Sequence, residues 1–274
     1  MAAVQDVCGD GVGLRLVSDR RGTAVWKAAG PVRSVAVKVG LGCEGAAITA
    51  RESAVLDAME RGARLAYGHG PEAAWLITPW YDGPSTWSAM SDLRAGAPAD
   101  DAIRRLVVDV CEAVAGLHAS GWVHGDLQPH HTLHTRDQGV VFIDCSWAWH
   151  PSNFPASSLF RGGLPHLLAP ELAAEVEAGV RPLVTTKAAE VYALAASLWW
   201  AITGEWPLDY DAAGVATAGM SAGRLRDVIS SGRVPLHPPK AWPSVQEVLA
   251  TALHPEPDHR PTAAELATAV AKAG

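Results

Sequence analysis

The stretch Val123-His124-Gly125-Asp126-Leu127-Gln128-Pro129-His130-His131 is the most informative part of this chain. It places an aspartate in a loop directly after a glycine. The segment Val141-Phe142-Ile143-Asp144 follows it and ends an apolar run with a second aspartate. Short strands are expected near 132–134 and 140–143, on either side of a turn. Asp126 and Asp144 are therefore the first candidates for functional carboxylates.

The composition limits the class of protein. The 274 residues suit one large domain or two lobes that share a cleft, and 49% hydrophobic residues are enough for a packed core. A formal net charge of −7 disfavours a nucleic-acid-binding surface, which usually needs a basic stripe. The four cysteines are scattered without C-x-x-C spacing, so we expect reduced thiols in a cytosolic protein.

Nothing along the chain indicates a membrane partner. The start of the chain lacks a charged segment followed by an apolar run, so no signal peptide is visible. The longest apolar run, at 191–202, is shorter than the roughly 20 residues that a membrane helix needs. We therefore expect a cytoplasmic protein.

A shift in composition at about Asp82–Pro84 divides the chain into two parts. The first part has strand-like segments at 14–17, 23–28, 35–39 and 74–78, with one helix over 46–59. The second part is mostly helical, with helices expected at 101–118, 170–178, 186–203, 222–230, 244–253 and 263–271. The pattern predicts an α+β fold with a small β-rich N-lobe at 1–82 and a mainly helical C-lobe at 83–274.

Several motifs occur in an order that resembles the eukaryotic-type Ser/Thr protein-kinase superfamily, over nearly the whole chain. Val35-Ala36-Val37-Lys38 resembles the strand motif V-A-I-K, and the segment 51–56 resembles the helix that supplies the glutamate partner of that lysine. Ala169-Pro170-Glu171 matches A-P-E, and the segment 258–263 resembles D-x-x-R-P-T/S-A. By contrast, His124-Gly125-Asp126 resembles the H-G-D loop of aminoglycoside and choline kinases, which lack the A-P-E and R-P-T segments. The chain looks like a divergent bacterial member with a small-molecule-kinase type of loop.

The resemblance implies a bilobal kinase-like fold and the use of ATP with Mg²⁺ or Mn²⁺. Lys38 would contact the α- and β-phosphates and pair with Glu52. Asp126 would accept or orient the proton of the attacking hydroxyl, and Asp144 would bind the metal. The residues implied in nucleotide binding are Gly22, Thr23, Val25, Ala36, Lys38, Thr78, Pro79 and Tyr81.

His131 departs from the resembled pattern, because relatives have there an asparagine that holds a second magnesium. Imidazole suits softer divalent ions better than magnesium. His131 could thus bind Mn²⁺, weaken Mg²⁺ binding, stabilise charge directly, or mark an inactive enzyme. With His130 and His134 nearby, a histidine zinc cluster is a further alternative.

Other departures affect the phosphate loop and the substrate side. The segment 18–25 contains one glycine where the kinase loop has three, and Arg20 or Arg21 could supply positive charge instead. Gln128 and Leu164 replace an interacting lysine and threonine, which fits a changed mode of substrate binding at least as well as random decay. Asp144-Cys145-Ser146 stands in place of D-F-G, so switching that depends on the phenylalanine is not expected.

Two positions in the helical part carry structural expectations from the resemblance. Glu190 stands where relatives have an aspartate that braces the catalytic loop. Arg260 and Glu171 correspond to an arginine and glutamate that form an ion pair.

Three functions stay open at this point. The first is an ATP-dependent phosphotransferase acting on Ser/Thr of a peptide or protein, with natural-product precursor peptides as a narrower form of this hypothesis. A small-molecule kinase is the second. The third is a pseudokinase that binds nucleotide or serves as a scaffold. Retention of Lys38, Glu52, Asp126 and Asp144 together favours an active enzyme over a pseudokinase.

Overall fold

The computed structural model describes residues 1–20, 22–59 and 62–273. The chain forms two compact units, one of Met1–Asp82 with Asp144–Ser146, the other of Gly83–Ile143 with Trp147–Gly274. The first is rich in strands and the second is mainly helical, so the predicted α+β, kinase-like fold class is confirmed. That the segments 1–82 and 83–274 act as one kinase-like domain stays a prediction.

The first unit is built on a five-stranded antiparallel sheet of order β1-β2-β3-β5-β4. Its elements are α1 (Ala2–Cys8), β1 (Gly13–Arg20), β2 (Thr23–Ala29), β3 (Ser34–Leu41), α2 (Gly42–Ala58), β4 (Ala66–His69) and β5 (Ala73–Pro79). The sequence did not indicate α1 or β4, and α2 begins directly after β3, earlier than expected. No side chain caps the start of α1, so the sequence lacks a helix-start signal there.

One face of this sheet forms the core against α1. Val35 and Val37 of β3 and Ile77 of β5 pack with Val4 and Cys8 of α1. Because side chains alternate along a strand, Ala36 and Lys38 of β3 project from the opposite face. The helix α2 contacts β3 and β5 most extensively.

The second unit consists of eight helices longer than three residues and a two-stranded sheet among the described residues. Its elements are α3 (Thr86–Ala89), α4 (Ser91–Arg94), α5 (Asp101–Ala119), β6 (Thr132–Thr135), β7 (Gly139–Phe142), α6 (Pro170–Glu177), α7 (Lys187–Thr203), α8 (Ala222–Ser230), α9 (Pro243–Ala252) and α10 (Ala263–Lys272). Short 3-10 helices lie at Cys145–Trp147, Pro165–Leu167 and Pro257–His259.

The helix α7 is the centre of the second unit, since most of its residues are buried. Thr186 caps its start by accepting a hydrogen bond from the N–H of Ala189, and Gly204 ends it in a left-handed conformation. A helix that is apolar on all sides requires neighbours on all sides, which explains why Trp199 and Tyr192 are buried here. No helix in the described part of the chain is both long and apolar enough to cross a membrane.

The ion pair expected between Arg260 and Glu171 is present. Nη1 and Nη2 of Arg260 donate to the two carboxylate oxygens of Glu171 at 2.7 and 2.8 Å. The same guanidinium also donates to the carbonyl groups of His254, Pro255 and Ala188. The bidentate pair and the further backbone partners satisfy the buried charge of Arg260. Because Glu171 lies in the first turn of α6, the pair connects the segment after α9 to the start of α6.

Candidate active site

In the first unit, the ammonium group of Lys38 joins two carboxylates. Its Nζ donates to Oε2 of Glu52 at 2.5 Å and to Oδ1 of Asp144 at 2.6 Å. Lys38 comes from β3, Glu52 from α2, and Asp144 from the short segment Asp144–Ser146 that belongs to this unit. Three residues that are distant in sequence thus form one charged cluster.

This cluster determines the protonation of Lys38. Burial by itself lowers the pKa of a lysine, because it disfavours the charged form. The negative charges and hydrogen bonds of Glu52 and Asp144 outweigh burial and raise the pKa of Lys38 above its ordinary value. The side chain is therefore a permanent cation at neutral pH, which suits it to contact phosphate oxygens.

Asp144 has an unusual backbone conformation. Its φ of 57° is left-handed, and among the described residues no other residue except glycine has a positive φ. The left-handed region costs a residue other than glycine about 1 kcal/mol, although aspartate tolerates it better than most. The ion pair with Lys38 helps to hold this conformation.

The strand residues expected to bind nucleotide share the face of Lys38. Across the sheet, Val25 lies opposite Lys38 and Thr78 lies opposite Ala36. Thr23 lies opposite Gly40, two residues after Lys38. Because directly opposed residues project from the same side of a sheet, these side chains form one surface.

Pro79 and Tyr81 lie at and just after the end of β5. Pro79 is opposed to Val35 and so projects from the other face, but only its carbonyl group is required as an acceptor. Burial, with a smaller contribution from Cys145, raises the pKa of Tyr81, so its hydroxyl stays protonated.

Gly22 has a left-handed backbone conformation and lies close to the start of α2. Its φ is 74°, and its carbonyl oxygen accepts a hydrogen bond from the N–H of Leu41 at 2.8 Å. A Cβ placed on Gly45 of α2 would lie only 2.5 Å from that oxygen. The turn between β1 and β2 is thus packed against the start of α2. Arg21, a candidate source of positive charge in this turn, lies outside the described residues, and Arg20 is the last residue of β1.

In the second unit, Gln128 holds the carboxylate of Asp126, and His124 holds the backbone of the same loop. The amide of Gln128 donates to Oδ1 of Asp126 at 3.0 Å. The backbone N–H of Asp126 donates to Nδ1 of His124 at 3.3 Å, and Nε2 of His124 lies 3.1 Å from the carbonyl oxygen of Ile143. A carbonyl only accepts, so Nε2 carries the proton and His124 is neutral. Burial lowers the pKa of His124, which favours the same neutral form.

Two side chains of the helix α7 hydrogen-bond to the backbone of this loop. Glu190 accepts a hydrogen bond from the backbone N–H of Gly125 at 2.7 Å, so the longer glutamate reaches the loop. The hydroxyl of Ser197, two turns further along α7, donates to the carbonyl oxygen of Leu127 at 3.0 Å. The residues on both sides of Asp126 are therefore fixed to the most buried helix of the unit.

The three neighbouring histidines have different environments. Nδ1 of His131 lies 2.9 Å from the carbonyl oxygen of Asp126 and must donate to it, so Nε2 is the nitrogen that carries the lone pair in the neutral ring. His130 stacks on Trp87, with ring centroids 5.3 Å apart, and His134 hydrogen-bonds to the hydroxyl of Thr86 at 2.9 Å. Within residues 1–20, 22–59 and 62–273, no group of three or more His, Cys, Asp or Glu side chains is arranged to hold a metal ion.

A small apolar cavity lies beside Asp126 in the second unit. Its lining includes Phe160, Leu164, Leu167 and Leu172. Gly162 and Gly163 have positive φ values, and a Cβ on Gly163 would lie 2.5 Å from Oδ1 of Asp126. Leu164, which replaces the threonine of the resembled kinases, thus contributes to an apolar surface next to the candidate base.

Sequence reasoning missed the contacts of Ser146 and Arg51. The hydroxyl of Ser146 donates to Oε2 of Glu52 at 3.1 Å, and the Nε of Arg51 donates to the carbonyl of Ser146 at 2.9 Å. The replacement of a flexible glycine by a hydrogen-bonding residue at position 146 was the signal in the sequence. The position of Arg51 next to Glu52 was a second signal.

Comparison with known proteins gives distant relatives. No protein-family model matches the chain. The Ser/Thr-protein kinases AfsK of Streptomyces coelicolor and Streptomyces griseus are 31% and 29% identical over 140 residues, which is 50% of this chain and 16% of each relative. The probable Ser/Thr-protein kinase PkwA of Thermomonospora curvata is 27% identical over 194 residues, 70% of this chain and 23% of that protein.

The matches cover less than a quarter of the length of these relatives. Within the matched parts, the similarity is to bacterial Ser/Thr protein kinases in all three cases. This distant and partial homology supports a place for the chain in the protein-kinase superfamily.

Proposed function

We propose that this protein transfers the γ-phosphoryl group of ATP to a hydroxyl, that of a Ser or Thr side chain in a peptide or protein. In this proposal the segments 1–82 and 83–274 act as one kinase-like domain. The observation that carries the proposal is the cluster in which Lys38 donates to both Glu52 and Asp144. Phosphoryl transfer depends mainly on positioning and charge neutralisation, and such a cluster supplies an oriented cation beside a carboxylate.

Each residue has a distinct role in the proposed reaction. Lys38 binds the α- and β-phosphates, and Glu52 orients it. Asp126 accepts the proton of the attacking hydroxyl while the oxygen of that hydroxyl forms a bond to the γ-phosphorus. The bond between that phosphorus and the β–γ bridging oxygen breaks, and ADP leaves with that electron pair.

The nucleotide would lie on the sheet face that carries Lys38. Val25, Ala36 and Thr78 are small or medium side chains on this face, which suits a flat base. The carbonyl of Pro79 and the backbone of Tyr81 are the candidate hydrogen-bonding groups for adenine.

Asp144 and His131 are the candidate ligands for Mg²⁺ or Mn²⁺. Because Nδ1 of His131 donates to the carbonyl of Asp126, a metal would meet Nε2 of the neutral ring, and imidazole binds manganese better than magnesium. The carboxylate of Asp144 suits either ion. A bound metal would neutralise charge on the phosphate oxygens.

The environment of Asp126 supports a peptide over a sugar as the acceptor. The lining of the small cavity beside Asp126 is mostly apolar, although Thr185 and Glu190 also contribute to it. A side chain next to the acceptor hydroxyl would meet this mostly apolar surface, which favours an apolar neighbour over the polar groups of a sugar.

One observation favours nucleotide binding without transfer as a second candidate function. Gln128 already donates to Oδ1 of Asp126, and it replaces the catalytic-loop lysine of the resembled Ser/Thr kinases. A pseudokinase would keep the cluster of Lys38, Glu52 and Asp144 and bind nucleotide, but Asp126 would not support phosphoryl transfer.

The test combines ATP binding and phosphate transfer. Calorimetry with ATP alone, with Mg²⁺ and with Mn²⁺ should show metal-dependent binding of ATP. Asp144→Asn should lose the dependence on metal, and Lys38→Met should lose ATP binding altogether. Asp126→Asn should bind ATP as the wild type does but transfer about 10²- to 10⁴-fold more slowly to a Ser/Thr peptide library. The exposed Asp137 provides the control, since Asp137→Asn should change neither property.

The outcomes separate the candidates. No ATP binding by the wild type under any metal condition overturns the proposal. Metal-dependent binding without transfer to any peptide supports the pseudokinase, and transfer to a small-molecule alcohol in preference to peptides overturns the assignment of the acceptor.

A further inference from the structure

The hydroxyl of Ser146 lies at the centre of the cluster around Lys38. It donates to Oε2 of Glu52 at 3.1 Å, and its oxygen lies 3.4 Å both from Nζ of Lys38 and from Oδ1 of Asp144. The residue is 1% exposed. One small side chain therefore touches all three charged members of the cluster, and it can accept from Lys38 while it donates to a carboxylate.

The backbone of the same segment is held by two adjacent residues of α2. Oε1 of Glu52 accepts a hydrogen bond from the N–H of Cys145 at 3.1 Å. Nε of Arg51 donates to the carbonyl oxygen of Ser146 at 2.9 Å. Together with the Ser146 hydroxyl, these bonds connect Asp144–Ser146 to α2 through both side chain and backbone.

The restraint matters because Asp144 has a left-handed backbone conformation, with φ of 57°. Aspartate leaves this conformation readily unless neighbouring groups hold it. A glycine at position 146 would remove the hydroxyl and add backbone freedom. The serine supplies the hydroxyl and restricts the backbone.

We propose that Ser146 is a positioning residue that, with Arg51, sets the carboxylate of Asp144 and the ammonium of Lys38 in their binding orientation before nucleotide arrives. This inference rests on the proposed function, since the group to be bound is the metal–ATP complex. Asp144 would be preorganised, so that little conformational freedom is lost when the complex binds.

The experiment uses Ser146→Ala and Ser146→Gly in the full chain. Calorimetry measures the affinity for ATP with EDTA and with Mn²⁺ or Mg²⁺. We expect the gain in ATP affinity caused by the metal to fall about tenfold in Ser146→Ala and further in Ser146→Gly, while affinity for metal-free ATP changes less. Ser53→Ala is the matched control, because the buried hydroxyl of Ser53 on α2 makes no hydrogen bond to any described residue.

A second readout needs neither metal nor nucleotide. Amide hydrogen exchange in the segment 144–147 should be faster in Ser146→Ala than in the wild type and in Ser53→Ala. The reason is that Glu52, which accepts from the N–H of Cys145, loses the bond from the Ser146 hydroxyl that helps to fix it. Arg51→Gln, which removes the bond to the carbonyl of Ser146, should change exchange and metal-dependent affinity in the same direction. This variant carries the test if both Ser146 variants fail to fold.

The failure of this inference differs from the failure of the proposed function. If the wild type binds metal–ATP and the Ser146 and Arg51 variants keep both its metal-dependent gain and its slow exchange, the positioning role is wrong although the function stands. A lower melting temperature with an unchanged metal-dependent gain also overturns it, because Ser146 is then only structural. If the wild type binds no ATP at all, both proposals fall.

Discussion

The carboxylate of Glu190 connects α7, the loop of Asp126 and the end of α5. Its Oε1 accepts a hydrogen bond from the N–H of Gly125 at 2.7 Å, and its Oε2 lies 2.8 Å from Nε2 of His118. Glu190 is 1% exposed, so both oxygens are satisfied by protein groups within the second unit. The loop that carries Asp126 depends on this buried side chain for its position.

Replacing Glu190 should therefore destabilise the fold. Glu190→Ala leaves the N–H of Gly125 and the ring of His118 without their buried partner, and we expect a loss of about 3 kcal/mol in the free energy of unfolding. Glu190→Gln keeps an oxygen for Gly125 and should cost about 1 kcal/mol. Urea denaturation measures both. Glu247→Ala on the exposed side of α9 is the control, and an equally small effect of Glu190→Ala would contradict the bracing role.

The sequence predicted most elements because their hydrophobic periodicity is local. The pairing of Lys38 with Glu52, which the structure shows, was implied by the resemblance of the segments 35–38 and 51–56 to kinase motifs. The sequence did not predict that Ser146 joins this cluster, because that contact depends on how distant segments meet in three dimensions. The element α1 was missed for a different reason: a short helix without a capping side chain has no distinctive pattern.

The junction of β3 and α2 gives a second stability prediction. A Cβ on Gly45 would lie 2.5 Å from the carbonyl oxygen of Gly22, which is backbone and cannot move aside cheaply. Gly45→Ala should therefore lower the free energy of unfolding by about 1–3 kcal/mol, although alanine is the better helix former.

Gly116 in α5 is the matched control for Gly45. It is also a helical glycine, but outside its own stretch of helix no heavy atom of the described residues lies within 4 Å of the position of its Cβ. Gly116→Ala should raise stability by up to about 1 kcal/mol. Thermal or urea denaturation of both variants would contradict the packing argument if the two substitutions had the same sign.

The stability of the protein should depend on pH through His166. Burial lowers the pKa of His166 to about 4, while its ring stacks on Trp206 at 4.4 Å and hydrogen-bonds to the hydroxyl of Tyr210 at 3.0 Å. In the unfolded chain the pKa of histidine is about 6.5. Between these values the unfolded state binds more protons, so this contribution is present above pH 6.5 and is lost as the pH falls towards 4.

The pH effect can be measured by difference. From pH 7 to pH 5, His166 should account for about 1 kcal/mol of the loss in unfolding free energy, after discounting for its partial exposure. His166→Gln should be less stable than the wild type at pH 7 but lose less on acidification. The same substitution at the exposed His69 controls for general effects, and parallel pH curves for wild type and His166→Gln would contradict the assignment.

The final prediction concerns the choice of metal at His131. Nδ1 of His131 donates to the carbonyl of Asp126, so a metal would meet the nitrogen Nε2, a donor that magnesium accepts poorly. His131→Asn replaces this nitrogen with an amide oxygen, while the NH₂ group of asparagine can still donate within the loop. We expect the ratio of ATP affinities with Mn²⁺ and with Mg²⁺ to fall about tenfold in favour of magnesium, as measured by calorimetry with each ion. His130→Asn is the control, because His130 stacks on Trp87 and is not among the ligands proposed for Mg²⁺ or Mn²⁺. An unchanged ratio in His131→Asn would remove His131 from the metal ligands and leave Asp144 as the remaining candidate.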